Sequence, residues 1–125
     1  MATIKKISPL QLWDLAHTVI SNPAQWARGA CARNEKGHTV DATNPHAKCW
    51  CSGGVLRMLT SGRPPMAVMQ ADFVLRDALD LAARAIEPKI TARVRPFVSF
   101  NDTHKHAEVM QMWQQAREIL LLRKW

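Results

Sequence analysis

The sequence predicts an α+β fold, with about four helices packed around a small antiparallel β-hairpin or sheet. Apolar residues recur three and four positions apart in several stretches, and three of these begin at a proline that suits the first helical position. One stretch after the first helix carries the glycine turn and the β-branched residues of a hairpin instead. Because a chain of 125 residues can bury one core, we expect a single compact domain over residues 1–125.

The first predicted helix covers residues 9 to 21. Ser8 supplies an N-cap oxygen, and Pro9 fits the first helical position, where its missing N–H is no loss. The apolar face of this helix carries Leu10, Trp13, Ala16, Val19 and Ile20. Asn22, which precedes a proline, stops the helix and begins a further turn that carries Trp26.

A short β-hairpin is predicted in the stretch ACARNEKGHTVD. Its polar NEKG centre places Gly37 where a turn favours positive φ, and small residues precede that turn. Thr39 and Val40 then give a β-branched return strand.

Asn44 and Pro45 repeat the N-cap and proline signal, so a second helix is predicted from residue 45 to about residue 59. One face of it carries the apolar or small residues Ala47, Trp50, Cys51, Gly54, Val55, Met58 and Leu59. Cys51 is therefore expected in the core. Cys49 lies about 200° away around the helix, so the two thiols do not converge on one metal ion.

Gly53 and Gly54 lie inside this predicted helix, where each costs about 1 kcal/mol relative to alanine. The cost is explained if another backbone packs closely against the glycines. A bound ligand in the same space is the alternative, and both interpretations stay open.

The third and longest helix is predicted over residues 65 to 86, at the centre of the fold. Its inner face is expected to carry Ala67, Ala71, Val74, Leu75, Ala78, Leu81, Ala82 and Ala85. Asp72 with Arg76, and Asp80 with Arg84, are spaced four residues apart. We expect both to form ion pairs on the solvent side.

Alternating apolar and polar residues from Ile90 to Phe100 predict a strand beside the hairpin, interrupted by Pro96. A last helix is predicted from Thr103 to Leu122. Its inner face is expected to carry Val109, Met110, Trp113, Ala116 and Leu120.

A formal net charge of +7 points to anionic partners, which include nucleic acid, acidic protein surfaces and phosphorylated small molecules. The apolar runs are shorter than the roughly 20 residues that a membrane span requires. Asp14 and His17 are polar residues inside the segment that would have to be apolar in a signal peptide. We therefore expect a cytoplasmic protein with no membrane partner. The odd number of cysteines, three, favours reduced thiols over a disulfide framework.

Several motifs follow one another along the chain, and they are Trp26 with Gly29-Ala30, Trp50-Cys51 with Gly54, and Phe100-Asn101-Asp102. Together they resemble an uncharacterised domain-of-unknown-function family of small bacterial, largely actinobacterial, and phage proteins, with W-x-x-G-A, W-C-x-x-G and W/F-N-D motifs. The resemblance covers about residues 10 to 120 and implies one domain without an assigned activity. This chain departs from the pattern at Val55, where an alanine is usual, and at Phe100, where a tryptophan is.

Two interpretations of Asn101 and Asp102 stay open. In one, the pair ends the strand and caps the last helix, because side-chain oxygens accept from its unpaired N–H groups. In the other, the pair lines a ligand pocket together with Trp26, Gly53 and Gly54, and Asp102 orients an amine or hydroxyl of the ligand.

No catalytic residue is assigned from the sequence. A nucleophilic cysteine needs a base, ideally at a helix N-terminus, but Cys51 is predicted on an apolar face, and Cys49 with His46 lacks a third orienting group. A metal site is a separate alternative. Cys31 and His38 come close to Cys49 and His46 only if the hairpin folds over the start of the helix, and the spacings of these four residues along the chain match no zinc signature. We therefore expect no metal and no cofactor.

A nucleic-acid interface is a further alternative, and its candidate phosphate contacts are Arg28, Arg33, Arg93 and Arg95. The last two fall on one side of the predicted strand. Neither helix-turn-helix spacing nor an aromatic RNA-binding motif accompanies them.

These features favour binding over chemistry. We expect a non-catalytic, phage-like or mobile-element-like accessory protein that binds a host protein or protein–nucleic-acid complex as a counter-defence factor or regulatory inhibitor. The alternatives are a protein that binds or sequesters a nucleotide-like small molecule near Trp26, Asn101 and Asp102, and a basic nucleic-acid-binding protein.

Overall fold

The computed structural model of the protein describes residues 5–90 and 95–123. These residues form five α-helices, a single-turn 3-10 helix and a three-stranded antiparallel sheet, which confirms the predicted α+β class. In chain order the elements are α1 (Pro9–Ile20), the 3-10 helix (Pro23–Gln25), β1 (Ala32–Asn34), β2 (Thr39–Val40), β3 (Ala47–Trp50), α2 (Ser52–Ser61), α3 (Pro65–Ile86), α4 (Pro96–Thr103) and α5 (His106–Leu122).

Helix α1 begins as predicted. The side chains of Ser8 and Gln11 each accept a hydrogen bond from the backbone N–H of the other, which forms a capping box. Asn22 caps the 3-10 helix, since its Oδ1 accepts from the N–H of Ala24 at 3.0 Å. That turn ends at Trp26 and so positions its indole ring.

Strand β1 is central in the sheet, whose order is β2-β1-β3. The predicted hairpin is confirmed, because β1 pairs antiparallel with β2 and Ala32 lies opposite Val40. Gly37 adopts a φ of 80° in the turn. The turn is fixed by Asn34, whose Oδ1 accepts from the N–H groups of Lys36 and His38, each at 3.0 Å.

The helix predicted over residues 45 to 59 is wrong in its first part, because β3 occupies residues 47–50 and pairs with β1. Asn44 forms a turn there instead of a helix cap. Its Oδ1 accepts from the N–H of His46 at 2.8 Å, and its carbonyl oxygen accepts from the N–H of Ala47 at 3.0 Å. Helix α2 therefore begins only after β3, and Cys51 is its N-cap.

Helix α3 is the central helix and packs against α1, α4 and α5. Its predicted bounds are confirmed. Leu81 and Ala85 were predicted on its inner face but are exposed, whereas Leu79 and Ala83 are buried. The reason is that the buried face continues from Leu75 in steps of four residues, through Leu79 to Ala83.

The strand predicted around Val98 and Phe100 is wrong, because both residues lie in α4. The preceding part of it, residues 91–94, lies outside the described residues. Phe97 and Phe100 are three positions apart and fully buried, which suits a helix that packs on α3. In so short a segment, apolar residues at helical spacing and apolar residues that alternate as in a strand give similar sequence patterns.

The carboxylate of Asp80 in α3 fixes the start of α4. Its Oδ1 accepts from the N–H of Phe97 at 3.1 Å, and its Oδ2 accepts from Nε of Arg95 at 2.8 Å. Asp80 thus pairs with Arg95 and not, as predicted, with Arg84. This contact ties the two helices together.

Helix α5 begins at His106, later than predicted, because Thr103 still belongs to α4. Met112 is buried on its inner face, and Met110 is only half-buried. The remaining inner positions are buried as predicted, namely Val109, Trp113, Ala116 and Leu120. None of the helices in the described part of the chain is long and apolar enough to cross a membrane.

Candidate functional site

The side chain of Asn101 is a buried hydrogen-bonding hub near the end of α4. It is 0% exposed. Its Oδ1 accepts from the indole Nε1 of Trp26 at 2.8 Å, and from both the N–H and the hydroxyl of Ser52 at 3.0 and 2.8 Å. Its Nδ2 donates to the carbonyl oxygen of Ala27 at 3.0 Å. One amide therefore joins the segment around Trp26 to the start of α2.

The network continues from Ser52 into the core. Its hydroxyl oxygen accepts from the indole Nε1 of Trp113 at 2.9 Å, and the carbonyl oxygen of Trp113 accepts from the indole Nε1 of Trp13 at 2.8 Å. Over the described ranges, every buried side-chain nitrogen or oxygen has a partner. A fully satisfied network of this kind stabilises one arrangement of the helices.

Asp102 holds the loop that follows Trp26. Its Oδ1 accepts from the N–H of Gly29 at 2.9 Å and from Nδ2 of Asn101 at 3.2 Å. Gly29 has a φ of 81°, which favours glycine. The interpretation that Asn101 and Asp102 end a strand and cap the last helix is wrong, because both lie in α4.

The structure thus brings Trp26, Asn101 and Asp102 together, as the pocket interpretation requires. The groups that a ligand would use are bonded to protein groups, however, since Asn101 Oδ1 has three donors and the Trp26 N–H has an acceptor. Ligand binding by these three residues stays a prediction.

Gly54 is a point of close backbone approach. A Cβ atom at this position would overlap the carbonyl group of Cys31, so only glycine fits. The sequence-based expectation that another backbone packs closely is confirmed at Gly54. Gly53 differs, because a Cβ there would meet the side chain of Val98 at 3.4 Å.

Gly53 instead lines a cavity of about 300 Å³, which we call the Arg57 cavity. The residues around it are Cys31, Cys51, Gly53, Arg57, Thr60, Arg76 and Val98. Arg76 is bound to Asp72 at 3.0 Å, as predicted from their spacing. Arg57 lies 3.7 Å from Asp41, and both side chains are more than half exposed. Two arginines therefore line this cavity together with Gly53.

Cys51 is inward-pointing and 2% exposed, which confirms its predicted burial. It does not lie on a helix stripe but caps α2, where its Sγ accepts from the N–H of Gly54 at 3.2 Å. Burial raises the pKa of the Cys51 thiol to about 11, although the helix N–H groups lower it. The thiol is therefore protonated at neutral pH and is a poor nucleophile.

The other two cysteines differ in exposure, since Cys31 is exposed and Cys49 is half-buried. Within the described ranges no group of three or more His, Cys, Asp or Glu side chains is placed to hold a metal ion. The buried, protonated thiol of Cys51 is not an activated nucleophile.

The structure describes three of the four arginines predicted to contact nucleic acid. Arg93 lies outside the described residues. Arg95 forms ion pairs with the carboxylates of Asp77 and Asp80, at 2.8 and 2.7 Å. These two aspartates raise its pKa against the effect of burial, so Arg95 serves as a link between α3 and α4.

Arg28 and Arg33 bond to backbone carbonyl groups. Arg28 Nη1 donates to His104 at 3.4 Å, while Arg33 donates to Gly37 and to Arg28, each at 3.2 Å. Arg33 thereby braces the hairpin. Their contact with nucleic acid stays a prediction.

A second cavity of about 300 Å³ lies at the hairpin and was missed from the sequence. The residues around it are Asn34, Glu35, Lys36, His38, His46 and Lys48. His46 and Lys48 were predicted in a helix, and only His46 was considered as a neighbour of the hairpin, in the metal alternative with His38. Pairing of β3 with β1 brings the two segments together.

An exposed apolar patch lies on the outer face of α3, and we call it the Met-Phe patch. It consists of Met66, Met69 and Phe73, which are 66%, 63% and 61% exposed. With Lys6 and Gln70 they line a groove of about 470 Å³. Their spacing of three and four residues is visible in the sequence, but the prediction for the solvent side of this helix covered only its charged residues.

Comparison with known proteins gives one match. The family model of DUF6197, a family of unknown function, matches residues 5–119. No curated protein and no solved structure matches the chain.

Proposed function

Since this chain belongs to DUF6197, a family of unknown function, we propose from its structure that it is a non-catalytic protein that binds an acidic host protein. The Met-Phe patch is the proposed contact surface. The observation that carries the proposal is that three large apolar side chains of one helix face, Met66, Met69 and Phe73, are each more than 60% exposed.

Water disfavours such a surface, and covering it on binding supplies the main driving force of association. Phenylalanine and methionine are enriched in the centres of protein interfaces, and methionine adapts to partners of different shape. Isolated apolar residues are common on surfaces, but three neighbours along two helical turns form a contiguous patch. A protein partner with an apolar segment fits this patch.

Charge favours an acidic partner. Lys6 lines the groove beside the patch, and the chain carries a formal net charge of +7. A positive electrostatic field speeds association with acidic protein surfaces and disfavours association with basic ones. The proposed partner segment is therefore amphipathic, with an apolar face against Met69 and Phe73 and a carboxylate near Lys6.

The biological role that we propose is that of a phage-like or mobile-element-like accessory factor, which blocks or regulates a host protein in the bacterial cytoplasm. The motifs around Trp26, Trp50 and Asn101 support this origin by their resemblance to small bacterial and phage proteins. An inhibitor of this kind needs only a binding surface, which agrees with a protonated, buried Cys51.

The test is photo-crosslinking in host lysate with a photoreactive residue in place of Met69, treated with nuclease and repeated at low and moderate salt. We expect one acidic protein to be crosslinked, and Phe73→Asp to abolish its capture. Leu81→Asp is the matched control, because Leu81 is a 44% exposed apolar residue elsewhere on the same helix. Capture that is equal in both variants, or that nuclease removes, contradicts the proposal.

A second candidate function is the sequestration of a nucleotide-like anion, which the Arg57 cavity favours. Arg57 and Arg76 supply guanidinium donors that suit phosphate oxygens, and Gly53 leaves space beside them. In this alternative the ligand lies next to the network of Asn101 and does not replace its hydrogen bonds.

Thermal unfolding in the presence of a nucleotide panel tests this candidate. A nucleotide that binds should raise the Tm of the wild type through linkage and leave the Tm of Arg57→Ala unchanged. Arg63→Ala is the matched control, since Arg63 is an exposed arginine just after the same helix. An unchanged Tm of the wild type at saturating nucleotide argues against the candidate.

Nucleic-acid binding is a third candidate, favoured by the cavity at the hairpin, where Lys36 and Lys48 converge with His38 and His46. Fluorescence anisotropy with a labelled single strand should then show affinity that falls steeply with salt. Lys36→Ala with Lys48→Ala should reduce that salt dependence. Equal affinity in the double variant contradicts this assignment.

A further inference from the structure

Cys31 and Cys51 lie opposite each other at the end of a β-ladder. Strand β1 pairs antiparallel with β3, and Ala32 lies opposite Trp50, so the next pair of positions is Cys31 and Cys51. The N–H of Cys51 donates to the carbonyl oxygen of Cys31 at 3.1 Å, which continues the ladder. Opposite residues of an antiparallel ladder have Cα atoms about 4.5 to 5.5 Å apart.

That separation suits a disulfide, whose Cα atoms are about 4.4 to 6.8 Å apart. Opposite side chains in an antiparallel pair also point to the same face. Cys31 and Cys51 both line the Arg57 cavity, which agrees with side chains on one face of the ladder. Cys49 lies opposite Arg33, one diagonal step further from Cys31.

The backbone of Cys31 is held in place. Gly54, in the first turn of α2, leaves no room for a Cβ atom against the Cys31 carbonyl group, so the two segments are in direct contact. Cys51 is anchored in turn as the N-cap of the same helix. The backbones of the two cysteines are therefore held side by side.

We propose that Cys31 and Cys51 form a reversible disulfide when the protein meets a low-molecular-mass disulfide such as oxidised glutathione. Cys31 is exposed and reacts first, whereas Cys51 is buried and resolves the mixed disulfide. The bond closes one wall of the Arg57 cavity and fastens the segment before β1 to the start of α2. It is independent of the Met-Phe patch.

The exchange proceeds in two balanced steps. The Cys31 thiolate attacks one sulfur of oxidised glutathione, and the other half leaves as a thiolate that takes up a proton. Cys51 then loses its proton to solvent and attacks the sulfur of Cys31, and the second glutathione leaves. Two electrons pass from the protein thiols to one glutathione disulfide, which becomes two glutathione thiols.

The second step is the slow one, because only the thiolate attacks and burial raises the pKa of Cys51 to about 11. At neutral pH the mixed disulfide at Cys31 should therefore accumulate before closure. Its closure should speed up about tenfold for each unit of pH, as long as the pH stays below this pKa.

The test is to incubate the folded protein with mixtures of reduced and oxidised glutathione, block free thiols with an alkylating agent and map the peptides by mass spectrometry. We expect a linked pair of peptides that contain Cys31 and Cys51, with Cys49 alkylated. Cys49→Ser should form the same link. Cys31→Ser should form no link and leave Cys51 alkylated only after unfolding.

Three outcomes would overturn the assignment. One is a glutathione adduct at Cys31 that persists as the pH is raised, and another is a link from Cys31 to Cys49. The third is no change at Cys31 in the wild type at excess oxidised glutathione. Mapping the wild type decides among these outcomes, so the result does not depend on the folding of any variant.

Discussion

The indole N–H of Trp26 and the side-chain oxygen of Asn101 meet at 2.8 Å, although 75 positions separate the two residues in the chain. The same oxygen accepts from the N–H and the hydroxyl of Ser52. One buried amide thus connects the 3-10 turn, α2 and α4. Since Asn101 and Ser52 are removed from water and Trp26 is half-buried, we expect the three segments to become ordered together.

Replacement of Asn101 by leucine should lower the free energy of unfolding by about 4 kcal/mol, because it leaves the buried donors of Ser52 and the half-buried indole N–H of Trp26 without an acceptor. Urea unfolding followed by tryptophan fluorescence measures this loss. Asn22→Ala is the matched control, because Asn22 is exposed and caps the 3-10 helix with one hydrogen bond. The control should lose about 1 kcal/mol. Equal losses in the two variants would show that the buried network adds nothing beyond a surface cap.

The contact between Gly54 and Cys31 predicts an asymmetry among the glycines of α2. Gly54→Ala should cost about 3 kcal/mol or more, because the added methyl group overlaps the Cys31 carbonyl group and the backbone must shift. Gly62→Ala should be neutral or stabilise the fold by up to about 1 kcal/mol, since Gly62 has a φ of −90° and open space around it. Thermal unfolding of both variants measures the difference. A Gly54→Ala variant as stable as Gly62→Ala would contradict the close approach.

The fold was predictable from the sequence where a local sequence signal is compatible with only one type of secondary structure. Ser8 and Pro9 start α1, and the long periodic run of α3 permits no strand, so both helices were placed correctly. The signal at Asn44 has two meanings, because an asparagine before a proline caps a helix or closes a turn. Only pairing of β3 with β1, a non-local contact, decides between them.

The site was less predictable than the fold, for the same reason. The order of motifs along the chain singled out Trp26, Asn101 and Asp102, which the structure brings together. The opposition of Cys31 and Cys51 follows from the register of β3, and no register exists for a segment taken as a helix. Exposure of Phe73 depends on which face of α3 its neighbours cover, and one helix alone does not determine this.

Two aspartates of α3, Asp80 and Asp72, should differ in how much they contribute to the free energy of unfolding. Asp80→Ala should cost about 2 kcal/mol, because Asp80 accepts from the N–H of Phe97 at the start of α4 and pairs with Arg95. Asp72→Ala should cost about 0.5 kcal/mol, since the contact of Asp72 within the described residues is an i,i+4 pair with Arg76. Urea unfolding separates the two values. A larger loss for Asp72→Ala would show that α4 is not held through Asp80.

The buried Cys51 thiol predicts how stability changes in alkali. Its pKa is raised by burial from an ordinary value of 9.0 to about 11. Below pH 9 the thiol keeps its proton in both the folded and the unfolded chain, so its contribution to stability is fully present. Between pH 9 and 11 the unfolded chain loses that proton first, and the contribution is lost as the pH rises through the folded value.

The loss should approach about 2 to 3 kcal/mol, at about 1.4 kcal/mol for each unit of pH, in urea unfolding series under reducing conditions. Cys51→Ala should be less stable at neutral pH, by about 2 kcal/mol, because it leaves a cavity and removes the acceptor for the Gly54 N–H. It should also lack this alkaline slope, whereas Cys49→Ala should retain it. Lysine titration acts on all three proteins and cancels in the comparison. If Cys51→Ala loses stability in alkali as steeply as the wild type, the thiol is not buried in its protonated form.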